Sequence, residues 1–313
     1  MSAQFDHIPV MATEVVELFS AVPPGLVVDA TLGGAGHARE LLRSRPDLEL
    51  LGIDRDPGAV AVATERLLGF GGRARVRHAG FEEIGAVMEA EAGRSRESVM
   101  GVLMDLGVSS PQLDRPERGF SFRHDAPLDM RMDSSQSLTA ADVVNQYPEA
   151  ELASLIARNG EERFARRIAA RIVSARPLTT TLELVELIRS AIPAPARRRG
   201  GHPARRTFQA IRMEVNRELP NLASGLDDVV QIVAPGGRIV VLSYHSLEDR
   251  VVKQRFAEWS ATEEPGSQRL PVPTPRSALT RLLTRKPQRP TEREIESNPR
   301  AASARLRAVE RLS

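Results

Sequence analysis

Residues 26–37 read Leu-Val-Val-Asp-Ala-Thr-Leu-Gly-Gly-Ala-Gly-His, an apolar run that ends in an acid and continues into a turn with three glycines. A short apolar run bounded by such a turn is typical of a buried strand in a parallel sheet. The glycines allow the backbone to approach a ligand closely, and a helix that begins there points its amide N–H groups at that ligand. The segment therefore predicts a strand, a ligand-binding loop and a helix.

Short apolar runs recur along the chain on both sides of a long gap. Helical stretches over 35–45 and 57–69 separate the first of them. The other runs cover residues 48–54, 74–78, 99–105 and 238–244. Strands that alternate with helices at this spacing indicate βαβ units. The sequence therefore predicts an α/β fold with a Rossmann-like parallel sheet, interrupted between its fourth and fifth strands.

The interruption predicts a separate, mainly helical domain. It has little β-branched alternation, and apolar residues recur in it at helical spacing. Helices are predicted from Thr139, a candidate N-cap, over 149–176, within 182–190 and over 207–219. We expect a discontinuous α/β domain, residues 1–111 and 216–313, with the helical domain inserted at 112–215.

The end of the chain predicts little regular structure until its last residues. Residues 261–299 are rich in proline, arginine, threonine and serine, which is typical of an irregular connection. Residues 305–310 partly alternate in polarity, which favours a strand that closes the sheet at its edge.

The composition excludes several classes of protein. No apolar run approaches the roughly 18 residues of a transmembrane helix, and the first residues lack the segments of a secretory signal. There is no cysteine, which excludes disulfides, cysteine-ligated zinc and thiol nucleophiles. The histidines show no metal-ligand spacing, so no metal site is expected. We expect a cytoplasmic protein with no membrane partner.

The charge of the chain is unevenly distributed. The chain carries 43 basic and 41 acidic residues, and all but two of the basic residues are arginines. Residues 112–217 hold 18 arginines against 13 acids, a net charge of about +5. Arginine binds phosphate bidentately and stacks on bases, so the insertion is expected to bind RNA, although genomic base composition also raises the arginine content. The residues expected at RNA are Arg197, Arg198, Arg199, Arg205, Arg206 and Arg212, with Arg250 and Lys253 near a phosphate in the α/β domain.

The glycine turn lacks a complete dinucleotide fingerprint because Arg39 stands at the position of the third glycine. Asp29, just before the turn, would repel a pyrophosphate, but it suits a cofactor with a positive centre such as S-adenosylmethionine. Asp54 ends the second strand, where a carboxylate can accept both ribose hydroxyls, and Phe81 follows the third strand, where a ring can pack on adenine. Tight packing of the turn, a helix cap at Asp54 and a core position for Phe81 are the alternatives.

Polar residues follow the fourth and fifth strands, whose carboxyl ends meet at one edge of a parallel sheet. They are Asp105, Ser109, Ser110 and Pro111 after the fourth strand, and His245, Ser246 and Asp249 after the fifth. An acidic residue followed closely by proline at this place resembles the motif of amino-group methyltransferases. Acceptors that hold the two N–H groups of a nucleobase amine direct its lone pair at a methyl group, and this positioning needs no metal.

Each of these polar clusters has a structural alternative. The serines can form a capped turn, and Glu248 with Asp249 can be an ordinary helix start. A hydrolase is disfavoured, because the chain has no nucleophile elbow and its serine, histidine and aspartate follow no triad order.

The chain resembles the bacterial ribosomal RNA small subunit methyltransferase H family over nearly its whole length. The matching stretches are long and unusual, and they lie at 7–11, 33–37, 52–57, 105–114, 118–123, 127–133, 160–168, 202–210, 246–250 and 298–300. Two residues depart from the family pattern. Ala35 stands where glycine is common, and Tyr244 stands where phenylalanine is expected.

This resemblance implies a class I S-adenosylmethionine-dependent methyltransferase core with an inserted helical substrate domain. It implies methylation of cytidine N4 in the decoding region of 16S rRNA, with the assembled small ribosomal subunit as the expected partner. The implied cofactor contacts are Gly33, Gly34, Ala35, Gly36, His37, Asp54, Phe81, Asp105 and Gln112. The residues expected to hold the amine are Asp105, Ser109, Ser110, His245 and Ser246, so Asp105 has two candidate roles.

Three other functions fit parts of the sequence. The enzyme could methylate a different amine, such as a DNA cytosine or a protein side chain. The chain could be an RNA-binding ribosome assembly factor whose catalysis is incidental. A dinucleotide-dependent oxidoreductase is disfavoured by Arg39 in the glycine turn.

Overall fold

The computed structural model describes residues 9–91, 99–109, 112, 115–197, 201–264 and 274–312. The chain divides into two compact units. The first unit comprises Met1–Gly107 and Leu219–Ser313, and the second comprises Val108–Glu218. None of the described helices is long and apolar enough to span a membrane.

A seven-stranded sheet forms the first unit, and a two-stranded ribbon accompanies it. The strands are β1 (Gly25–Asp29), β2 (Leu48–Asp54), β3 (Ala74–His78), β4 (Val99–Asp105), β5 (Val233–Ser243), β6 (Glu263–Glu264), β7 (Thr274–Pro275), β8 (Thr280–Leu282) and β9 (Arg305–Arg311). The order in the large sheet is β3-β2-β1-β4-β5-β9-β8, and β6 pairs with β7 in the ribbon. β1 to β5 are parallel, whereas β9 is antiparallel to both β5 and β8.

Helices occur in both units. In chain order they are α1 (Ala12–Ser20), α2 (Gly36–Ser44), α3 (Pro57–Leu67), α4 (Ile84–Ala90), α5 (Ala140–Gln146), α6 (Glu149–Gly160), α7 (Ala165–Ser174), α8 (Thr181–Ala191), α9 (Ala194–Arg197), α10 (Arg205–Val215), α11 (Glu218–Ile232), α12 (Ser246–Trp259) and α13 (Glu292–Ser297). Short 3-10 helices lie at Leu68–Arg73, Phe81–Glu83, Pro116–Arg118 and Pro299–Ser303.

The central strands are apolar throughout because both faces of the sheet are covered. Successive side chains of a strand point to opposite faces. Val27 packs with Leu103 in one apolar cluster, while its neighbour Val28 packs with Val102 in another. Burial on both faces explains why these strands appear in the sequence as continuous apolar runs.

Three neighbouring parallel strands end in an aspartate. Asp29 ends β1, Asp54 ends β2 and Asp105 ends β4. The register pairs Asp29 with Gly52 on one side and with Leu103 on the other, so these strand ends lie at the same edge of the sheet. In doubly wound sheets this edge is the usual place for a ligand.

The predicted strands are confirmed, including the one at 305–310, but the expectation that this last strand forms the edge of the sheet is wrong. Strand β9 lies inside the sheet, and β8 forms the edge beyond it. β8 is only three residues long and occurs in the stretch that we expected to be irregular. Three residues are too few to show a period of two, which is why the sequence did not reveal this strand.

The second unit has a helical core of its own, formed by α5 to α10. Thr139 caps α5 as predicted, since its hydroxyl accepts a hydrogen bond from the amide of Asp142. The single helix predicted over 149–176 is two helices, α6 and α7, separated at Glu161, where φ is +48°. The helix predicted over 207–219 likewise ends at Val215, before Arg217, where φ is +50°.

Candidate active site

The loop between β1 and α2 contains residues in the left-handed backbone conformation and is tied to β2. Gly33 and Ala35 both have positive φ, +50° and +61°. The amide of Leu32 donates to the carbonyl of Ile53 at 3.0 Å, which ties the loop to β2. A Cβ at Gly52 would lie 2.5 Å from the Leu32 side chain, so glycine is needed there for the loop to pack. Ala35 adopts the left-handed conformation that favours glycine, at a modest cost in strain.

Asp54 connects this loop to the start of α3. Its carboxylate accepts hydrogen bonds from the amide of Gly33 at 2.7 Å and from the amide of Asp56 at 2.8 Å. Burial raises the pKa of Asp54 above its ordinary value. The N-cap of α3 is Asp56, whose side chain accepts from the amide of Gly58. Asp54 is therefore not the cap that the alternative interpretation required, and its remaining lone pairs can accept hydroxyl groups.

Asp29 and His37 are a buried acid and base at the two ends of the loop. Burial raises the pKa of Asp29 to about 7, although its carboxylate also accepts from the amide of Thr31. Burial lowers the pKa of His37, but the interaction with Asp105 and the negative charge of Asp29 outweigh it and leave the pKa raised. Nε2 of His37 lies 3.5 Å from Oδ2 of Asp105.

Asp105 is fixed by neighbours from two other strands. The hydroxyl of Tyr244, after β5, donates to Oδ1 at 2.7 Å. The backbone amide of Asp105 donates to the hydroxyl of Thr31 at 2.6 Å. Burial and the nearby carboxylate raise the pKa of Tyr244 well above its ordinary value, so the phenol stays a donor. The sequence analysis noted Tyr244 as a departure but did not predict this bond, and it did not single out Thr31.

Phe81 lies in a 3-10 helix that follows β3. Its ring packs against the apolar core beneath the sheet, and a Cβ at Gly225 would lie 3.0 Å from it. The guanidinium of Arg55 lies 5.8 Å from the ring centre. Phe81 is only partly buried, so its packing fits the core interpretation without excluding a face for adenine.

After β5, the polar residues mainly organise the start of α12. Nδ1 of His245 accepts from the amide of Glu248, and Oε2 of Glu248 accepts from the amides of Tyr244 and His245. Ser246 is the first residue of the helix. Asp249 is bound by Arg305 and Arg307 of β9, with its shortest contact at 2.7 Å. Asp249 is therefore held by β9, and Glu248 fits the alternative of an ordinary helix start.

Ser109 and Gln112 belong to the second unit and bond to each other. The amide of Ser109 donates to Oε1 of Gln112 at 3.0 Å, and the amide of Gln112 donates to the Ser109 carbonyl at 3.1 Å. These bonds close a turn, as the structural alternative for this segment predicted. Ser110 lies outside the described residues.

The arginines expected at RNA have different surroundings. Arg205 and Arg206 are exposed at the start of α10, and Arg206 also donates to the carbonyl of Glu161 at 3.1 Å. Arg197 donates to the carbonyl of Ile192 at 2.7 Å. Arg212 forms two hydrogen bonds of 2.7 Å with Glu218, and both side chains are largely buried. Glu218 therefore already neutralises the guanidinium of Arg212, which we had expected at RNA. On α12, Arg250 and Lys253 are exposed, and Arg198 and Arg199 lie outside the described residues.

The strand order, with one reversed strand beside β5, defines a class I methyltransferase fold, the fold of enzymes that use S-adenosylmethionine. The sequence model of the MraW methylase family matches residues 4–312 of the chain. The chain therefore belongs to the MraW methylase family.

Relatives of the chain cover almost all of it. It is 53% identical to the ribosomal RNA small subunit methyltransferase H of Thermobifida fusca (strain YX), over 97% of this chain and 93% of the relative. It is 50% identical to the proteins of the same name from Symbiobacterium thermophilum and Mycobacterium avium (strain 104). Those alignments span 98% and 99% of this chain, and 97% and 83% of the relatives.

Proposed function

We propose that the protein transfers a methyl group from S-adenosylmethionine to N4 of a cytidine in the decoding region of 16S rRNA. The observation that carries this proposal is the set of buried acids at the carboxyl edge of the sheet, with Asp105 beside the glycine loop. The names of the relatives support rRNA of the small subunit as the substrate. The enzyme acts in the cytoplasm, where ribosomal subunits are assembled.

The residues around the loop fit the cofactor chemically. Asp105 places negative charge near a sulfonium and an amino group, and Asp29, whose pKa burial raises to about 7, adds to this charge when it loses its proton. Within the described part of the chain, the buried Nδ1 of His37 has no hydrogen-bond partner, so it offers an unused polar atom at this site. The contacts we assign to the cofactor are Gly33 to His37, Asp54, Phe81, Asp105 and Gln112. When bound, S-adenosylmethionine supplies an electrophilic methyl group.

The acceptors around Asp105 orient the target amine. The lone pair of an exocyclic amine is delocalised into the base, so the nitrogen is a poor nucleophile. The hydroxyl of Tyr244 holds Oδ1 of Asp105, Nε2 of His37 lies 3.5 Å from Oδ2, and the carboxylate keeps lone pairs for an N–H group. Positioning of this sort contributes roughly 7–11 kcal/mol to a rate enhancement. The residues assigned to the amine are Asp105, Ser109, Ser110, His245 and Ser246.

The second unit binds the RNA. It forms most of the segment that carries a net charge of about +5, and Arg205 and Arg206 are exposed there. We propose that these arginines, with Arg250 and Lys253 of the first unit, contact phosphates of the assembled small subunit.

The test supplies labelled S-adenosylmethionine and the protein to unmodified small subunits, naked 16S rRNA and DNA in parallel. We expect N4-methylcytidine in the nucleoside digest from small subunits. Label only in naked RNA or in DNA would contradict the assembled substrate, and a different methylated nucleoside would contradict the cytidine assignment.

The variant Asp105→Asn distinguishes an enzyme from an assembly factor. We expect it to lower methyl transfer at least about a hundredfold, because the acceptor and the charge at the reacting centre change together. Asp227→Asn is the matched control, since Asp227 is an exposed acid of the same unit, paired with Arg255. If Asp105→Asn abolishes transfer but leaves RNA binding and subunit maturation in cells normal, catalysis is incidental and the chain is an assembly factor. If the wild-type protein binds subunits and the cofactor without any transfer, the assembly-factor interpretation replaces the proposal.

A further inference from the structure

A pocket of about 280 Å³ lies within the second unit. Its walls come from the turn between α6 and α7, from the end of α8 and from the start of α10. Two stretches that carry the family resemblance, 160–168 and 202–210, meet here, and the proposed methyl-transfer residues include none of its lining.

The pocket is positively charged. Arg163, Arg205 and Arg206 line it, and all three side chains are exposed. The acid in the lining is Glu162, which is buried and whose carboxylate accepts from the amide of Phe164 at 2.9 Å. Three guanidinium groups around one inward-held carboxylate favour an anionic ligand, and the planar guanidinium suits a phosphate.

The pocket also offers flat aromatic surfaces that are held in place. The ring of His202 stacks on Phe122 with centroids 4.4 Å apart and planes 11° from parallel, yet His202 remains exposed. Phe122 packs edge-on against Phe208, which belongs to the helical core. On the other wall, the guanidinium of Arg163 lies 4.6 Å from the centre of the Phe164 ring.

His202 is a neutral ring rather than a cation. Its Nδ1 accepts a hydrogen bond from the amide of Ala204 at 3.3 Å, which requires that this nitrogen carry no proton. Burial and the positive charges of Arg123 and Arg189 lower the pKa of His202. A neutral ring next to three arginines provides a stacking surface, while the arginines provide the charge.

We infer that this pocket holds one unpaired nucleotide of the RNA substrate, with its phosphate at Arg163 and Arg205 and its base on His202. The volume lies near the lower end of ligand pockets, roughly 300–1,000 Å³, and suits one nucleotide rather than a larger ligand. Stacking on aromatic side chains is the usual way in which proteins hold unpaired bases. The inference rests on the proposed function, because it takes rRNA as the substrate.

The test measures the methylation of unmodified small subunits by variants that remove either the stacking ring of His202 or the charge of Arg205. His202→Ala is expected to raise KM at least about fivefold, with kcat and the salt dependence of binding unchanged. Arg205→Ala is expected to raise KM and to reduce the slope of log affinity against log salt by about one. Arg171→Ala is the matched control, since Arg171 is an exposed arginine on α7 outside the pocket lining. His202→Phe keeps a flat ring and is expected to restore KM to within about twofold.

Cofactor binding, measured by calorimetry, must be equal in all variants, which shows that each is folded. If His202→Ala behaves like Arg171→Ala, no base stacks in the pocket and the inference is wrong. If Arg205→Ala changes the salt slope but His202→Ala has no effect, the surface binds phosphate alone, which also overturns it. If the wild-type protein binds the cofactor but methylates no rRNA, the proposed function itself fails, and that outcome is visible before any variant is compared.

Discussion

At the scale of single residues, burial controls the acid at the end of β1. The pKa of Asp29 is raised from 3.8 to about 7, so between these values the folded protein holds a proton that the unfolded chain has lost. The stability that comes from this proton is complete below pH 3.8 and is lost as the pH rises through about 7. For one group the change is at most about 1.4 kcal/mol per pH unit.

We therefore predict that Asp29→Asn gains stability relative to the wild type between pH 5 and pH 7, by about 1 kcal/mol per pH unit. Urea denaturation at pH 5, 6, 7 and 8 measures this difference. The charge of Asp29 also raises the pKa of His37, so the difference between the two proteins reports the loss of Asp29 together with its effect on His37. Asp47→Asn is the control, because Arg45 lowers the pKa of Asp47 and this group does not titrate in the range. If the free energy of unfolding changes with pH in the same way in Asp29→Asn and in the wild type, the prediction is wrong.

The sequence predicted the acids of the site better than it predicted their partners. Asp29, Asp54 and Asp105 could be found because each ends an apolar run, and strand ends collect at one edge. The bond from Tyr244 to Asp105 joins residues 139 positions apart and depends on the β4–β5 register, which one sequence does not reveal. The pairing of Arg212 with Glu218 also depends on the turn after α10, so a basic stretch alone did not distinguish this arginine from Arg205.

At the scale of elements, α6 and α10 approach each other at a glycine. A Cβ at Gly160 would lie 2.6 Å from the carbonyl oxygen of Arg206, and a backbone atom cannot move aside as the end of a side chain can. Alanine would favour the helix by about 1 kcal/mol, but overpacking typically costs about 1–3 kcal/mol, and here we expect the clash to dominate.

We predict that Gly160→Ala lowers the free energy of unfolding by about 2 kcal/mol, measured by chemical denaturation with circular dichroism. Gly69→Ala is the control, since nothing lies within 4 Å of the Cβ that it would add. The control is expected to leave stability equal or slightly raised. Equal stability of both variants would show that α6 and α10 have room to separate.

The attachment of β9 to α12 depends on Asp249. Arg307 is 7% exposed, so removing the charge of Asp249 leaves a buried guanidinium without its carboxylate. We predict that Asp249→Asn lowers the free energy of unfolding by about 3 kcal/mol and leaves KM for small subunits unchanged. Asp227→Asn, which loses only an exposed ion pair with Arg255, should change stability by less than about 1 kcal/mol. If Asp249→Asn raises KM and leaves stability normal, Asp249 contacts the RNA and the prediction is wrong.

The predicted elements that failed have a common physical cause. The helix expected over 149–176 has continuous apolar spacing, and it breaks at Glu161, next to the point where Gly160 packs on α10, a contact between distant parts of the chain. β8 exists because its backbone pairs with β9, and its three residues carry no pattern of their own. Local sequence patterns therefore predicted the helices and strands that have an apolar face of their own. The bounds and existence of the other elements depend on contacts with distant parts of the chain.

At the scale of the whole molecule, the charges are separated between the segments of the chain. The net charge is only +2, yet the segment 112–217 carries about +5, so the rest of the chain is acidic by about 3. Association with RNA depends on such a local excess, because each phosphate contact releases counterions and adds to the salt dependence of binding. The excess can act through particular contacts or through the field of the whole segment, and these two possibilities predict different results.

The double variant Arg205→Glu with Arg206→Glu tests whether RNA binding depends on particular arginine–phosphate contacts or on the electrostatic field of the whole segment 112–217. We predict that it weakens binding to small subunits at least about tenfold, reduces the salt slope by about two and leaves the methylated base and cofactor affinity unchanged. Arg166→Glu with Arg171→Glu is the matched control, because both arginines are exposed on α7 and the change in charge is the same. Filter binding at several salt concentrations measures both slopes. Equal losses for the two pairs would mean that only the net field of the segment matters, whereas an unchanged slope for the first pair would remove these arginines from the RNA interface.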